Sequence, residues 1–151
     1  MTVDGLPLHP LIVHFTVVAL PVTAVVALIY VYRVNTRRRL QQPDESRLRL
    51  VLMVLGLVCA ALVWLTSRSG HDLHQERGFP ESFVHDHEQW ANLLSWATYA
   101  FAVLTVVVGF RDQRADWLRG LLHALLIAGA IAIVVLCYLT GEAGARMVWA
   151  Q

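Results

Sequence analysis

Four long apolar stretches constrain the fold of this chain more than any other feature of its sequence. They cover residues 11–32, 48–66, 90–110 and 118–140, and each is close to the roughly 20 residues that a helix needs to cross the hydrocarbon core of a bilayer. No water is present inside lipid, so each segment must pair its own backbone N–H and C=O groups, as a helix does. The pattern predicts an all-α integral membrane protein with four transmembrane helices.

The composition agrees with a membrane protein. Hydrophobic residues make up 57% of the chain and charged residues 15%, whereas soluble domains average about 45–50% and about 25%. The net charge of +1 gives no indication of a nucleic-acid partner. The expected partner of the chain is the lipid bilayer. Cys59 and Cys137 both lie inside predicted helices, where an external disulfide framework is not expected.

The arginine residues predict the orientation, because short loops rich in basic residues stay on the cytoplasmic side of the membrane. The first and third connections between the apolar stretches carry most of them: Arg33, Arg37, Arg38, Arg39, Arg47, Arg49, Arg111, Arg114 and Arg119. Acidic residues predominate in the second connection, residues 67–89. We therefore expect the first and third connections in the cytoplasm. The second connection should form a longer polar loop outside the cell membrane. Both termini should lie on that same outer side.

Short connections between successive helices predict an up-and-down four-helix bundle, in which neighbouring helices are antiparallel. The whole chain, residues 1–151, is then a single domain. No internal repeat is visible in the amino-acid sequence.

The histidines are distributed unevenly across this predicted topology. Six lie on or near the outer face, His9, His14, His71, His74, His85 and His87, and only His123 lies toward the cytoplasm. His14 is about one turn inside the first helix, and His87 comes just before the third. We expect His14 and His87 to approach each other across the outer part of the bundle, with His9 nearby.

Two imidazoles from facing helices offer the lone pairs that a haem b iron or a copper or zinc ion requires. The fourth helix ends in "TGEAGAR", which brings Glu142 and Arg146 to the same face. Glu142 is a candidate to orient a ligand imidazole, and Arg68 and Arg146 are candidates to neutralise haem propionates. An alternative stays open for His14, which would serve equally well in a hydrogen bond between helices.

Three motifs carry a family resemblance. "HPLIVHF" opens the first helix, "HEQWA" precedes the third, and "TGEAG" closes the fourth. Together they resemble the bacterial membrane family called domain of unknown function 2231, over nearly the whole chain. The resemblance implies a multi-pass protein of the bacterial inner membrane and no established biochemistry. It also implies that these residues occupy the characteristic positions of the family: His9, Pro10, His14, His87, Glu88, Gly141 and Glu142.

Two classes of function follow. In the first, the chain binds haem b or a transition-metal ion at its outer face and serves respiratory or periplasmic redox chemistry. In the second, it is a structural accessory subunit of a larger membrane complex, or associates with a second copy, through small residues such as Ala124, Ala128 and Ala132 that let helices approach closely. An enzyme is the least favoured class, because no nucleophile with a base, paired carboxylates or phosphate loop is visible.

Overall fold

A computed structural model of the chain describes residues 2–3, 6–36, 42–77, 81–110 and 116–149. The four helices are α1 (Leu8–Thr36), α2 (Gln42–Arg77), α3 (Glu81–Phe110) and α4 (Asp116–Trp149). Ahead of α1, the two-residue strands β1, Thr2–Val3, and β2, Leu6–Pro7, pair antiparallel with Thr2 opposite Pro7. Apart from this short pair, the described chain is all-α.

Each helix contains a segment that is long and apolar enough to cross a membrane. These segments are Leu8–Thr36, Glu45–Gln75, Val84–Phe110 and Asp116–Met147. Large apolar side chains such as Phe15, Val18 and Val103 are exposed along them, as expected for surfaces that face lipid tails. The prediction of four apolar helices of transmembrane length is confirmed.

The second connection differs from its prediction. Residues 67–89 were expected to form a long polar loop, but α2 continues to Arg77 and α3 already begins at Glu81. Polar residues do not end a helix by themselves, and no proline occurs between Ser67 and Arg77 to remove a backbone donor. The extended ends also contact each other, because Nδ1 of His74 lies 3.1 Å from Oε1 of Glu88.

The helices pack so that the first residues of α1 and α3 lie beside the last residues of α2 and α4. Helix α1 packs against α2 and α4, and α3 packs against the same two helices. His9 near the start of α1 bonds to Thr66 in α2, and His87 near the start of α3 bonds to Thr140 in α4. We call this region the histidine end, defined by His9, Gly70, His87 and Gly144. The opposite region is the arginine end, defined by Tyr30, Arg49, Arg119 and His123.

Small residues let the helices approach closely in the core. Gly56 lies directly against Thr105, where an added side chain would overlap the threonine hydroxyl. Thr23 and Ala27 are also buried, in α1. In contrast, Ala124 and Ala128 are exposed on α4, so they do not pack inside this group of helices.

Candidate functional site

His9 is held against α2 at the histidine end. Its Nδ1 lies 3.0 Å from the carbonyl oxygen of Thr66 and 3.2 Å from Oγ of Ser69. The ring rests on the bare backbone at Gly70, where an added Cβ would come within 2.9 Å of the ring carbon Cε1. A main-chain bond and a glycine contact therefore fix both the position and the rotation of this imidazole.

His87 is held against α4 in the same way. Its Nδ1 lies 3.0 Å from the carbonyl oxygen of Thr140. A Cβ added at Gly144 would lie 3.2 Å from Nδ1 and 3.3 Å from Cε1 of the ring. Each of the two histidines thus leaves its own helix, packs on a glycine of the next helix and bonds to a carbonyl one turn before that glycine.

Both rings lie at the same end of the four helices, His9 against the end of α2 and His87 against the end of α4. A carbonyl oxygen can only accept a hydrogen bond, so Nδ1 of each ring is the donor and carries a proton. Nε2 of each neutral ring then keeps its lone pair. Nε2 of either ring bonds to no residue in the described part of the chain. The histidine end therefore presents two oriented imidazoles with free lone pairs.

His14 does not join this pair. It is exposed, and its Nδ1 lies 2.5 Å from the carbonyl oxygen of Pro10 in its own helix. The expectation that His14 faces the interior and approaches His87 is wrong in this structure. Helical geometry gives the reason: five residues separate it from His9, which turns its side chain about 140° away around the helix.

The "TGEAGAR" segment also differs from its predicted role. Oε1 of Glu142 accepts two hydrogen bonds from Arg146, at 2.6 Å from Nη2 and 3.1 Å from Nε. No bond joins Glu142 to an imidazole within the described ranges, so it does not orient the ring of His87. The carbonyl of Thr140 has that role instead. Arg68 and Arg146 are both exposed at the histidine end.

Polar contacts between side chains hold α1, α2 and α3 together near the two histidines. Oγ1 of Thr16 lies 2.8 Å from Oγ1 of Thr66, which ties α1 to α2 about two turns along α1 from His9. Oγ of Ser67 lies 3.2 Å from Oγ of Ser95, which ties α2 to α3. Interhelical bonds of this kind each contribute about 0.6 kcal/mol in membrane proteins, and here they fix the helices that carry the imidazoles.

The supporting residues Ser69, Gly70 and Gly144 were missed from sequence, although a signal for them was present. Thr66 and Gly70 occur in "TSRSG", and Thr140 and Gly144 occur in "TGEAG". Both segments place a glycine four residues after a threonine, so the carbonyl and the glycine lie on one helix face. The comparison of these two segments would have indicated two similar ring supports.

The family of predicted membrane proteins named domain of unknown function 2231 matches residues 5–151 of the chain. The chain belongs to this family. No curated protein and no solved structure matches it. The resemblance noted from the three motifs is thereby confirmed. In the structure of this member of the 2231 family, the motif residues do not all lie together. His9 and His87 form the pair, whereas His14 is exposed and Glu142 bonds to Arg146.

Proposed function

We propose that this member of the 2231 family binds a metal centre through His9 and His87, at the extracytoplasmic end of an up-and-down four-helix bundle. The centre would serve electron transfer or sensing in the bacterial cytoplasmic membrane. One observation carries the proposal: two imidazoles at the same end of the four helices each donate Nδ1–H to a main-chain carbonyl and keep Nε2 free. Histidines that bind metals have this arrangement, because the second bond fixes the tautomer and the ring orientation.

The orientation rests on the arginines. Arg49 and Arg119 lie at the arginine end, and the first and third connections add most of the others. Basic residues favour the cytoplasmic side, so the histidine end and both termini are assigned to the opposite side. A site there would exchange electrons or ligands with the periplasm.

Positive charge near the pair completes the proposed site. Arg68 and Arg146 are exposed at the histidine end, where guanidinium groups can neutralise the carboxylates of a haem. Arg146 is held by Glu142, so it would have to exchange that partner for a propionate. Arg68 follows Thr66, the residue that supports His9, by two positions, so its side chain leaves α2 on the opposite side and would have to extend around the helix to reach the site.

Binding to purified protein tests the proposal. Ferric haem b, Cu²⁺ and Zn²⁺ are each titrated into the detergent-solubilised chain, followed by absorbance for haem and by equilibrium dialysis for the two ions. We expect at least one of them to bind, with the affinity falling more than about tenfold in His9→Ala and in His87→Ala, since each removes a ligand. His14→Ala is the matched control and should bind as the wild type does. Equal binding by all four proteins would overturn the proposal.

An accessory role is the second candidate, because Ala124 and Ala128 present a small-residue surface on the outside of α4. Such a surface allows close approach of another transmembrane helix. Under this proposal, Ala128→Leu reduces the size of the assembly extracted in mild detergent. The control Val134→Leu, at an exposed position of α4 that is turned about 80–120° around the helix from the two alanines, leaves the size unchanged. A wild type that runs as a single chain would contradict the accessory role.

A further inference from the structure

The two histidine supports belong to a larger internal correspondence. His87 stands 78 residues after His9, while Thr140 and Gly144 each stand 74 residues after Thr66 and Gly70. The bond lengths from Nδ1 to the carbonyl are the same, 3.0 Å in both halves. The hairpin α1–α2 and the hairpin α3–α4 therefore build the same local arrangement at equivalent places.

The buried face of α1 recurs in α3 with the same offset. Positions 16, 20, 23, 24, 27 and 30 are buried in α1, and the positions 78 residues later are all buried in α3. Leu20 corresponds in this way to Thr98, and Ala27 to Thr105. The side chains differ but the register of burial is the same, so the two helices present equivalent faces to the core.

Helices α2 and α4 show the same relation, with the offset of 74 residues that separates Thr66 from Thr140 and Gly70 from Gly144. Positions 52, 56, 59 and 63 are buried in α2, and the positions 74 residues later are all buried in α4. Cys59 corresponds to Ile133, and Val63 to Cys137. One offset for each helix pair, kept from the core to the histidine end, relates the first hairpin to the second.

This correspondence describes an approximate twofold axis that runs along the centre of the four helices. A twofold rotation carries α1 onto α3 and α2 onto α4, and it exchanges the α2·α3 interface with the α1·α4 interface. The main contacts between the helices are those four interfaces, α1·α2, α2·α3, α3·α4 and α1·α4. His9 and His87 occupy equivalent positions about this axis, one against α2 and the other against α4.

We propose that the ligand at this axis is a haem b, with His9 and His87 as its two equivalent axial ligands. The inference rests on the proposed function, because it identifies the centre that the imidazole pair binds. A haem iron offers two equivalent positions on opposite faces of a planar ring, and imidazole nitrogens are common ligands there. That arrangement matches two imidazoles at equivalent positions of the two hairpins, each of which donates Nδ1–H to a carbonyl and keeps Nε2 uncommitted.

The donor set also favours haem over a bare ion. Zinc takes four ligands, of which at least three come from the protein. No group of three His, Cys, Asp or Glu side chains suited to a metal ion occurs within the ranges that the structure describes. The porphyrin supplies four nitrogens of its own, so two imidazoles are sufficient to complete the coordination of its iron.

The test adds ferric haem b to the purified, detergent-solubilised full chain and follows absorbance and electron paramagnetic resonance. We expect one haem per chain with a low-spin ferric spectrum. His9→Gly and His87→Gly should each convert the haem to high spin, to a similar extent, since they remove equivalent ligands. Added imidazole should restore the low-spin spectrum in both variants, a rescue that a purely structural histidine would not give.

The remaining outcomes separate this inference from the proposed function. Binding of Zn²⁺ or Cu²⁺ that depends on both histidines, without binding of haem, would overturn the haem inference and leave the metal-binding proposal in place. Failure of all three to bind would overturn both. A low-spin spectrum that survives in either glycine variant would show that the two histidines are not the axial pair. Size-exclusion profiles that match the wild type establish that each variant is folded.

Discussion

The two ends of this protein use histidine differently, although they belong to the same four helices. At the histidine end, both halves of the chain contribute an imidazole, a carbonyl and a glycine. At the arginine end the side chains do not match: the position equivalent to His123 is Arg49, and the position equivalent to Tyr30 is Val108. One end therefore offers a symmetric pair, whereas the other has a single histidine.

The environment of His123 is that of a packed core residue. It is 3% exposed, its Nδ1 lies 3.1 Å from Oδ1 of Asn35, and its ring meets the ring of Tyr30 edge to face at 5.7 Å. Its Nε2 has no hydrogen-bond partner among the described residues, but no second imidazole corresponds to it. The comparison teaches that the twofold pairing of histidines, rather than burial of one histidine, marks a candidate ligand site.

The largest expected contrast between the two ends is their accessibility across the membrane. His71→Cys lies at the histidine end and Arg47→Cys near the arginine end, and both positions are exposed. An impermeant maleimide should label the first variant in intact cells and the second only after permeabilisation. The native thiols of Cys59 and Cys137 are buried, so the background should be low. The reverse labelling pattern would place the histidine end in the cytoplasm.

The next contrast concerns the glycines that support the rings. A Cβ in Gly70→Ala would meet the ring of His9 at 2.9 Å and should displace it from the carbonyl of Thr66. Loss of such a supporting bond typically weakens metal binding about 10- to 100-fold, and haem titration would measure it. Gly144→Ala should have a smaller effect, since the closest ring atom is 3.2 Å away. Gly141→Ala, with no atom within 4 Å, should bind as the wild type does.

A smaller effect is expected at the arginine end. His123→Leu removes the hydrogen bond to Asn35, worth about 0.5–1.5 kcal/mol, but it also removes the unpaired Nε2. We expect a change in the free energy of unfolding of no more than about 1.5 kcal/mol, measured by denaturation in detergent, and unchanged haem binding. A loss of haem binding comparable to that of His87→Ala would remove the distinction between the two ends.

The helices were predictable from sequence, but their ends were not. Hydropathy located all four membrane segments, because about 20 apolar residues have few alternative structures. The same measure placed the end of the second segment at residue 66, whereas α2 continues to Arg77. Hydropathy reports where lipid ends, and a helix can continue into water when no proline or strong capping signal stops it.

The positions of the histidines were predictable along the helices but not around them. His87 was identified, but His14 was chosen ahead of His9 because it lies deeper along the helix. Thr16 is buried, and His9 precedes it by seven residues, which returns the side chain to the same face after about two turns. His14 precedes Thr16 by two residues and lies on the opposite side. The choice between His9 and His14 depends on which face of α1 is buried, and the packed structure is needed to show that face.

The internal correspondence was hidden for a related reason. Equivalent positions such as Leu20 and Thr98, or Cys59 and Ile133, carry different side chains, so the sequence shows no repeat. What the two halves share is which positions are buried. Helix packing requires that register to be kept, while a range of small and apolar side chains can fill each place.

Haem titration of two double variants tests the central claim most directly. His9→Ala/His87→Ala removes the symmetric pair, and His14→Ala/His123→Ala removes two histidines that lie outside it. The account predicts no specific, low-spin haem binding by the first variant and wild-type binding, at one haem per chain, by the second. Retained low-spin binding in the first variant, or its loss in the second, would contradict the assignment of His9 and His87 as the ligand pair.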